Sequence, residues 1–199
     1  METYPFQIDF IKAIQAISVL LHSRRYQTMG YAEMLRLLYA IEREILQEKC
    51  YPFIGDSIFW TVSGPVMKTI NKLCLGKYHC NTFDPCDTCD KVFQYQFEIW
   101  DKTFQMIGND IKLIDNISVS LLSKYELKKI NEFAKKLKSD IDPFKYQEWI
   151  DNKPTTGLVK DICFKDILKA IGRETEEDDI INTYETNKRL LEFFEKEVI

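Results

Sequence analysis

Residues 56–70 read DSIFWTVSGPVMKTI, and the Gly64-Pro65 pair at their centre decides how the chain is read. An aromatic, β-prone run precedes the pair and an apolar-periodic one follows it, punctuation that predicts a strand-to-helix switch. Glycine accepts a backbone angle that other residues resist. Proline then pre-sets φ at a first helical position, where its missing N–H is no loss. The expectation is a strand over SIFWTV and a helix that begins at Pro65 and buries Val66, Ile70 and Leu73.

Working outward, helical periodicity dominates. Phe10, Ile14, Ile17 and Leu21 recur at spacings of four, three and four, and Met34, Leu38, Ile41 and Ile45 repeat the pattern. A later stripe, Phe93, Phe97, Trp100 and Phe104, predicts another core-facing helix. GNDIKLIDNI at 108–117 reads as a short hairpin or paired strands that can also pair with SIFWTV. SKYE at 123–126 is a capping box, opening a helix that buries Leu127, Ile130, Phe133 and Leu137 and turns its lysines to water. A short segment around Trp149 follows, then a helix in FKDILKAIG ended by Gly172. Thr175 with Asp178 caps a last helix carrying Ile180, Tyr184, Leu191, Phe194 and Val198. The predicted fold class is mainly α (α+β), about seven helices with one small antiparallel sheet, in a single domain over 1–199.

Composition narrows the function classes. The 199 residues are 45% hydrophobic and 13% aromatic, enough for a compact core, with no repeat and no low-complexity tract. A net charge of -4 argues against holding nucleic acid by its phosphates. The lysine-rich 123–138 stretch and the acidic ETEEDD at 174–179 read as solvated helix faces. No apolar run is long enough for a membrane helix, and METYPFQIDF lacks the basic region and cleavage site of a signal peptide. The expected location is the cytoplasm, where the six cysteines would be reduced or metal-bound.

The stretch MLRLLYAIEREILQEKCYPFIGDSIFWTVSGPVMKTI resembles the Panacea, or SocA-like, antitoxin domain family. It shares a helix with a Leu-Leu-Tyr core, a short turn, a β-prone run and the Gly-Pro-Val start. LSKYELKKINEF and FKDILKAIGRETEEDDI are similar to later helices of that family, so the resemblance covers roughly 28–75 and 120–185. It implies an antitoxin that neutralises a cognate protein toxin by direct binding, without a catalytic residue. In one branch of the family the antitoxin is also a proteolytic adaptor that delivers its toxin to a host protease. Gly64, Pro65 and Val66 correspond to the family hallmark, and Lys68 and Lys72 lie on the helix it starts, a candidate binding face. Where the family places a Thr-His pair shortly before a tryptophan, this chain has Lys145 and Tyr146 in FKYQEW.

CLGKYHCNTFDPCDTCD, residues 74–90, departs from that pattern and reads as a Cys-rich insertion. Cys86-x-x-Cys89 forms a knuckle that lets two thiolates reach one zinc ion; Cys80 can supply a third ligand and Cys74 or His79 a fourth. The other readings are a redox pair, and small buried hydrophobes with no metal at all. Cys50 and Cys163 read as packing residues.

An enzyme has little to draw on. His22 and His79 stand in no nucleophile or metal-hydrolase motif, GPVMKT lacks phosphate-loop spacing, and Glu42, Glu44, Glu174 and Glu176 sit in surface-like charge patterns. Protein binding as an antitoxin is the leading expectation. Two other classes stay open: a phage or mobile-element accessory protein that binds a host defence or regulatory protein, and a metal-dependent enzyme.

Overall fold

The computed structural model describes residues 4–61, 64–76, 87–136, 142, 145–152 and 159–197. Within them the chain forms α1 (Phe10–His22), β1 (Thr28–Gly30), α2 (Tyr31–Lys49), β2 (Ile58–Thr61), β3 (Gly64–Met67), α3 (Lys68–Cys74) and α4 (Asp87–Thr103). It continues with β4 (Phe104–Ile107), β5 (Asp110–Leu113), α5 (Lys124–Ala134), α6 (Gln147–Asn152), β6 (Lys160–Asp161), α7 (Phe164–Ala170) and α8 (Glu177–Glu197). The mainly helical class is as expected, but the strands form two antiparallel sheets, ordered β1-β5-β4 and β3-β2-β6, in place of one.

The apolar stripes of α1 and α2 do what their spacing predicts. Phe10, Ile14, Ile17, Leu21, Met34, Leu38, Ile41 and Ile45 are all buried in one cluster with Met67, Ile70, Leu73, Ile111 and Ile130. α2 also serves a second cluster. Its Tyr39 and Leu46 pack with Tyr4, Phe6, Trp60, Trp149, Phe164 and Ile180, so the helix is apolar on more than one face because it separates two cores. α5 opens on the predicted capping box, with both reciprocal bonds between Ser123 and Glu126 formed.

Several local expectations are overturned. The helix does not begin at Pro65: Gly64–Met67 is a strand, with Pro65 opposite Trp60 and Val66 opposite Phe59, and the helix waits until Lys68. Proline is tolerated there because β3 is an edge strand, where an absent N–H costs no ladder bond. The hairpin lies one strand earlier than GNDIKLIDNI suggests, joining β4 to β5 through Gly108, and its other neighbour is β1, not SIFWTV. Phe104 is therefore a strand residue at the end of the α4 stripe. Of the lysines on α5 and at its C-cap, Lys124, Lys128 and Lys135 face water, while Lys129 is largely covered and paired with Glu44 and Glu48. α8 starts at Glu177, two residues beyond Thr175, after a short 3-10 turn.

Candidate functional site

The turn at Gly64-Pro65 is built around a main-chain need. Gly64 has φ +113°, in the region that favours glycine, and the Thr61 hydroxyl donates to its carbonyl at 3.0 Å. Gly64 and Pro65 are buried and Val66 is half-buried. The chain then enters α3 with N–H groups that no preceding turn can satisfy. The segment before β2 satisfies them: Lys68 N–H donates to the Ser57 carbonyl at 2.8 Å, Thr69 N–H to Asp56 Oδ2 at 2.9 Å and Ile70 N–H to the same oxygen at 3.2 Å. Asp56 is 2% exposed, and burial pushes its carboxyl up to about 6 despite those donors. It acts as a helix cap delivered from across a hairpin.

Lys68 and Lys72, four residues apart, stand exposed on α3, and neither is ion-paired among the described residues. Lys68 and Lys72 follow the turn on α3, which starts at Lys68 and not at Pro65. Their rigid mounting, however, depends on Asp56, which the sequence reading did not single out.

Glu42 is a second unforeseen group and a correction to the surface reading. It is 1% exposed on α2, and its carboxylate accepts N–H bonds from Phe53 at 3.1 Å, Ile54 at 2.7 Å and Gly55 at 3.4 Å, with the Tyr4 hydroxyl also donating at 3.4 Å. Burial pushes Glu42 up to about 7, and the bonded N–H groups and the charge of Lys12 pull the other way. The spacing of four from Leu38 and four to Leu46 is the signal that places it on a buried face. Glu42 and Asp56 thus hold the two ends of one short connection, 53–57, in place.

A third buried carboxylate, Glu148 of α6, accepts the Tyr39 hydroxyl at 2.5 Å and Arg43 Nε at 2.8 Å. The Arg43 guanidinium lies over the Tyr146 ring, 4.6 Å from its centroid. Tyr146 is therefore part of the joint between α2 and α6.

Of the expected metal ligands, Cys74 ends α3 inside the apolar cluster, and burial pushes its thiol up to about 12. Its surroundings favour the neutral thiol over the thiolate that zinc binds. His79, Cys80 and Cys86 lie outside the described residues, as does the side chain of Cys89, whose backbone belongs to α4. Among the described residues no three His, Cys, Asp or Glu side chains gather as a metal set. No described helix is long and apolar enough to cross a membrane.

Compared with known proteins, the chain matches no family model, no curated protein and no solved structure.

Proposed function

We propose that the chain is a protein-binding antitoxin that neutralises a cognate protein toxin by direct contact, with α3 as part of the contact surface. The observation that carries the reading is the mounting of Lys68 and Lys72. Two cations with no ion pair among the described residues stand one turn apart on a helix whose first N–H groups are fixed by Ser57 and Asp56. Side chains held on a rigid frame lose less freedom on binding, so charge presented this way can select a partner's acidic group. The buried carboxylates support a non-catalytic reading. Glu42, Asp56 and Glu148 are each engaged by main-chain N–H groups or by tyrosine and arginine side chains that tie elements together.

The test is co-expression with the reading frame beside its own gene. Under this reading that frame is toxic alone, the chain restores growth and the two proteins copurify. Lys68→Glu with Lys72→Glu weakens both effects while the chain stays folded. A neighbouring frame without toxicity, or rescue untouched by the double reversal, overturns the antitoxin reading or the α3 surface respectively. Stabilising the toxin by inactivating host proteases distinguishes simple binding from delivery for degradation.

A further inference from the structure

Residues 4–7, Tyr-Pro-Phe-Gln, form a strap ahead of α1 that joins neither helix nor sheet. Pro5 fixes its own φ and biases Tyr4 toward extended backbone. Tyr4 and Phe6 turn inward while Gln7 stays exposed. Their rings seat edge-on in an aromatic groove: Phe6 stands 4.8 Å from Phe164 of α7 and 4.9 Å from Tyr184 of α8, and Tyr4 stands 5.6 Å from Phe164. The groove also fits a passing main chain. Gly55 leaves room for it, since a Cβ there would lie 3.0 Å from the Gln7 carbonyl oxygen and 3.2 Å from Phe6 Cβ. The Tyr184 hydroxyl clasps Gln7 twice, accepting its N–H at 3.1 Å and donating to its carbonyl at 3.2 Å. Glu42 accepts the Tyr4 hydroxyl at 3.4 Å. Alternate side chains in pockets and a main chain held by a polar group are the features by which an extended peptide is docked.

The strap is held more lightly than the elements around it. Among the described residues Gln7 is the only one of the four with main-chain hydrogen bonds, and both go to one hydroxyl. Segments without ladder bonds open at a fraction of the free energy of global unfolding. The chain directly after the strap is pinned. Asp9 N–H donates to the Ile54 carbonyl at 2.8 Å, Asp9 Oδ1 accepts the Lys12 N–H at 3.1 Å, and Phe10 enters the core of α1 and α2. A strap that leaves the groove therefore swings about Asp9 and leaves α1 in place. The pinned hinge also hinders exchange of straps between two copies, which needs an opened hinge, and so favours a separate chain as the replacement.

We propose that residues 4–7 occupy, in cis, a groove that docks an extended aromatic-proline-aromatic segment of a partner protein, and that the partner segment displaces them onto Asp9 as a hinge. The strap's own fit against Phe164, Tyr184 and Gly55 defines the chemistry of that segment: two aromatic side chains in alternation and a glycine-width path for the main chain. The groove belongs to the core beside Tyr39 and Leu46, whereas α3 packs into the other one, so the groove can be tested without a toxin and fails independently of the antitoxin reading.

The experiment titrates a fluorescein-labelled peptide TYPFQID, the sequence of residues 3–9, with the full chain and follows anisotropy. In the native chain the strap competes at high effective concentration, so the peptide binds weakly. Phe6→Asp, whose strap no longer seats, binds the peptide more tightly by about tenfold or more, and the peptide raises the melting temperature of that variant while leaving the native chain's unchanged. The same peptide with aspartate in place of phenylalanine binds neither chain. Equal affinity for the two chains, binding to neither, or binding of the aspartate peptide overturns the proposal. So does a Phe6→Asp chain that does not fold, which makes the strap an integral part of the core. A native dimer that the peptide splits into monomers on size exclusion names a second copy as the occupant and overturns it as well.

Discussion

Asp56 and Thr69 are joined across the β2–β3 hairpin, the Thr69 main-chain N–H donating to Asp56 Oδ2 at 2.9 Å and to Oδ1 at 3.2 Å. That bond and the matching one from Ile70 make the start of α3 depend on a residue twelve positions earlier in the chain. Asp56→Ala leaves buried N–H groups without an acceptor and should cost about 2–3 kcal/mol. Asp56→Asn retains one acceptor oxygen but turns an amide donor toward N–H groups, so it should recover only part of the loss. Urea unfolding of the two variants checks the order; an unchanged midpoint for Asp56→Ala would mean that water caps the helix equally well.

The same two carboxylates make stability depend on pH in an uncommon direction. Burial raises Glu42 from an ordinary 4.5 to about 7 and Asp56 from 3.8 to about 6. The folded state therefore binds protons more tightly than the unfolded one. Their contribution is fullest below the unfolded values and is lost as pH rises through about 6 and 7. For Glu42, raised from 4.5 to about 7, the amount is about 3 kcal/mol. The stability gap between the native chain and Glu42→Gln should narrow in favour of the variant between pH 4.5 and 7.5, then stay flat. A gap that widens over that interval would show that the N–H donors of Phe53, Ile54 and Gly55 outweigh burial.

The α2–α6 joint allows a cycle. Glu148 is fully covered beside Arg43, so Arg43→Ala takes the guanidinium from a buried carboxylate and should cost about 3 kcal/mol. Adding Glu148→Ala to that variant should cost much less than Glu148→Ala alone, because the charge that suffered is gone. Additive losses in thermal or urea unfolding would mean that the two residues act independently.

How far the residues disclosed this architecture depended on how local each cause was. The α1 and α2 stripes were legible because burial follows a 3.6-residue period that neighbours in sequence carry by themselves. Ser123 and Glu126 were legible for the same reason, both halves of their cap lying within four residues. β3 was not. Gly64-Pro65-Val66 suits a helix start as well as an edge strand, and only pairing with Phe59 and Trp60, plus the third strand supplied by Lys160–Asp161, decides between them. Asp56 was hidden because its ligands lie across a hairpin, and Glu42 because an acid among Arg43 and Glu44 reads as surface until the second core beside Tyr39 and Leu46 is known.

Gly64 and the α3 lysines should separate folding from binding. Gly64 adopts φ +113°, which a Cβ resists and a β-branched side chain resists more, so Gly64→Val should destabilise more than Gly64→Ala, and the latter by about 1 kcal/mol or more. Pro65→Ala should be mild, since Pro65 occupies an edge strand opposite Trp60 and its ring fills space without a hydrogen bond of its own. Lys68 and Lys72 are exposed and unpaired among the described residues, so reversing either should move stability by no more than about 0.5 kcal/mol. If α3 meets an acidic group on the partner, those same reversals should slow association and flatten its salt dependence, because steering is lost before any contact is made. Melting curves and association rates measured on one set of variants over a range of ionic strength test the separation. Loss of stability in Lys68→Glu would place the lysine in the fold's own electrostatics, and association rates unchanged in the double reversal would remove α3 from the binding surface whatever Gly64→Val does.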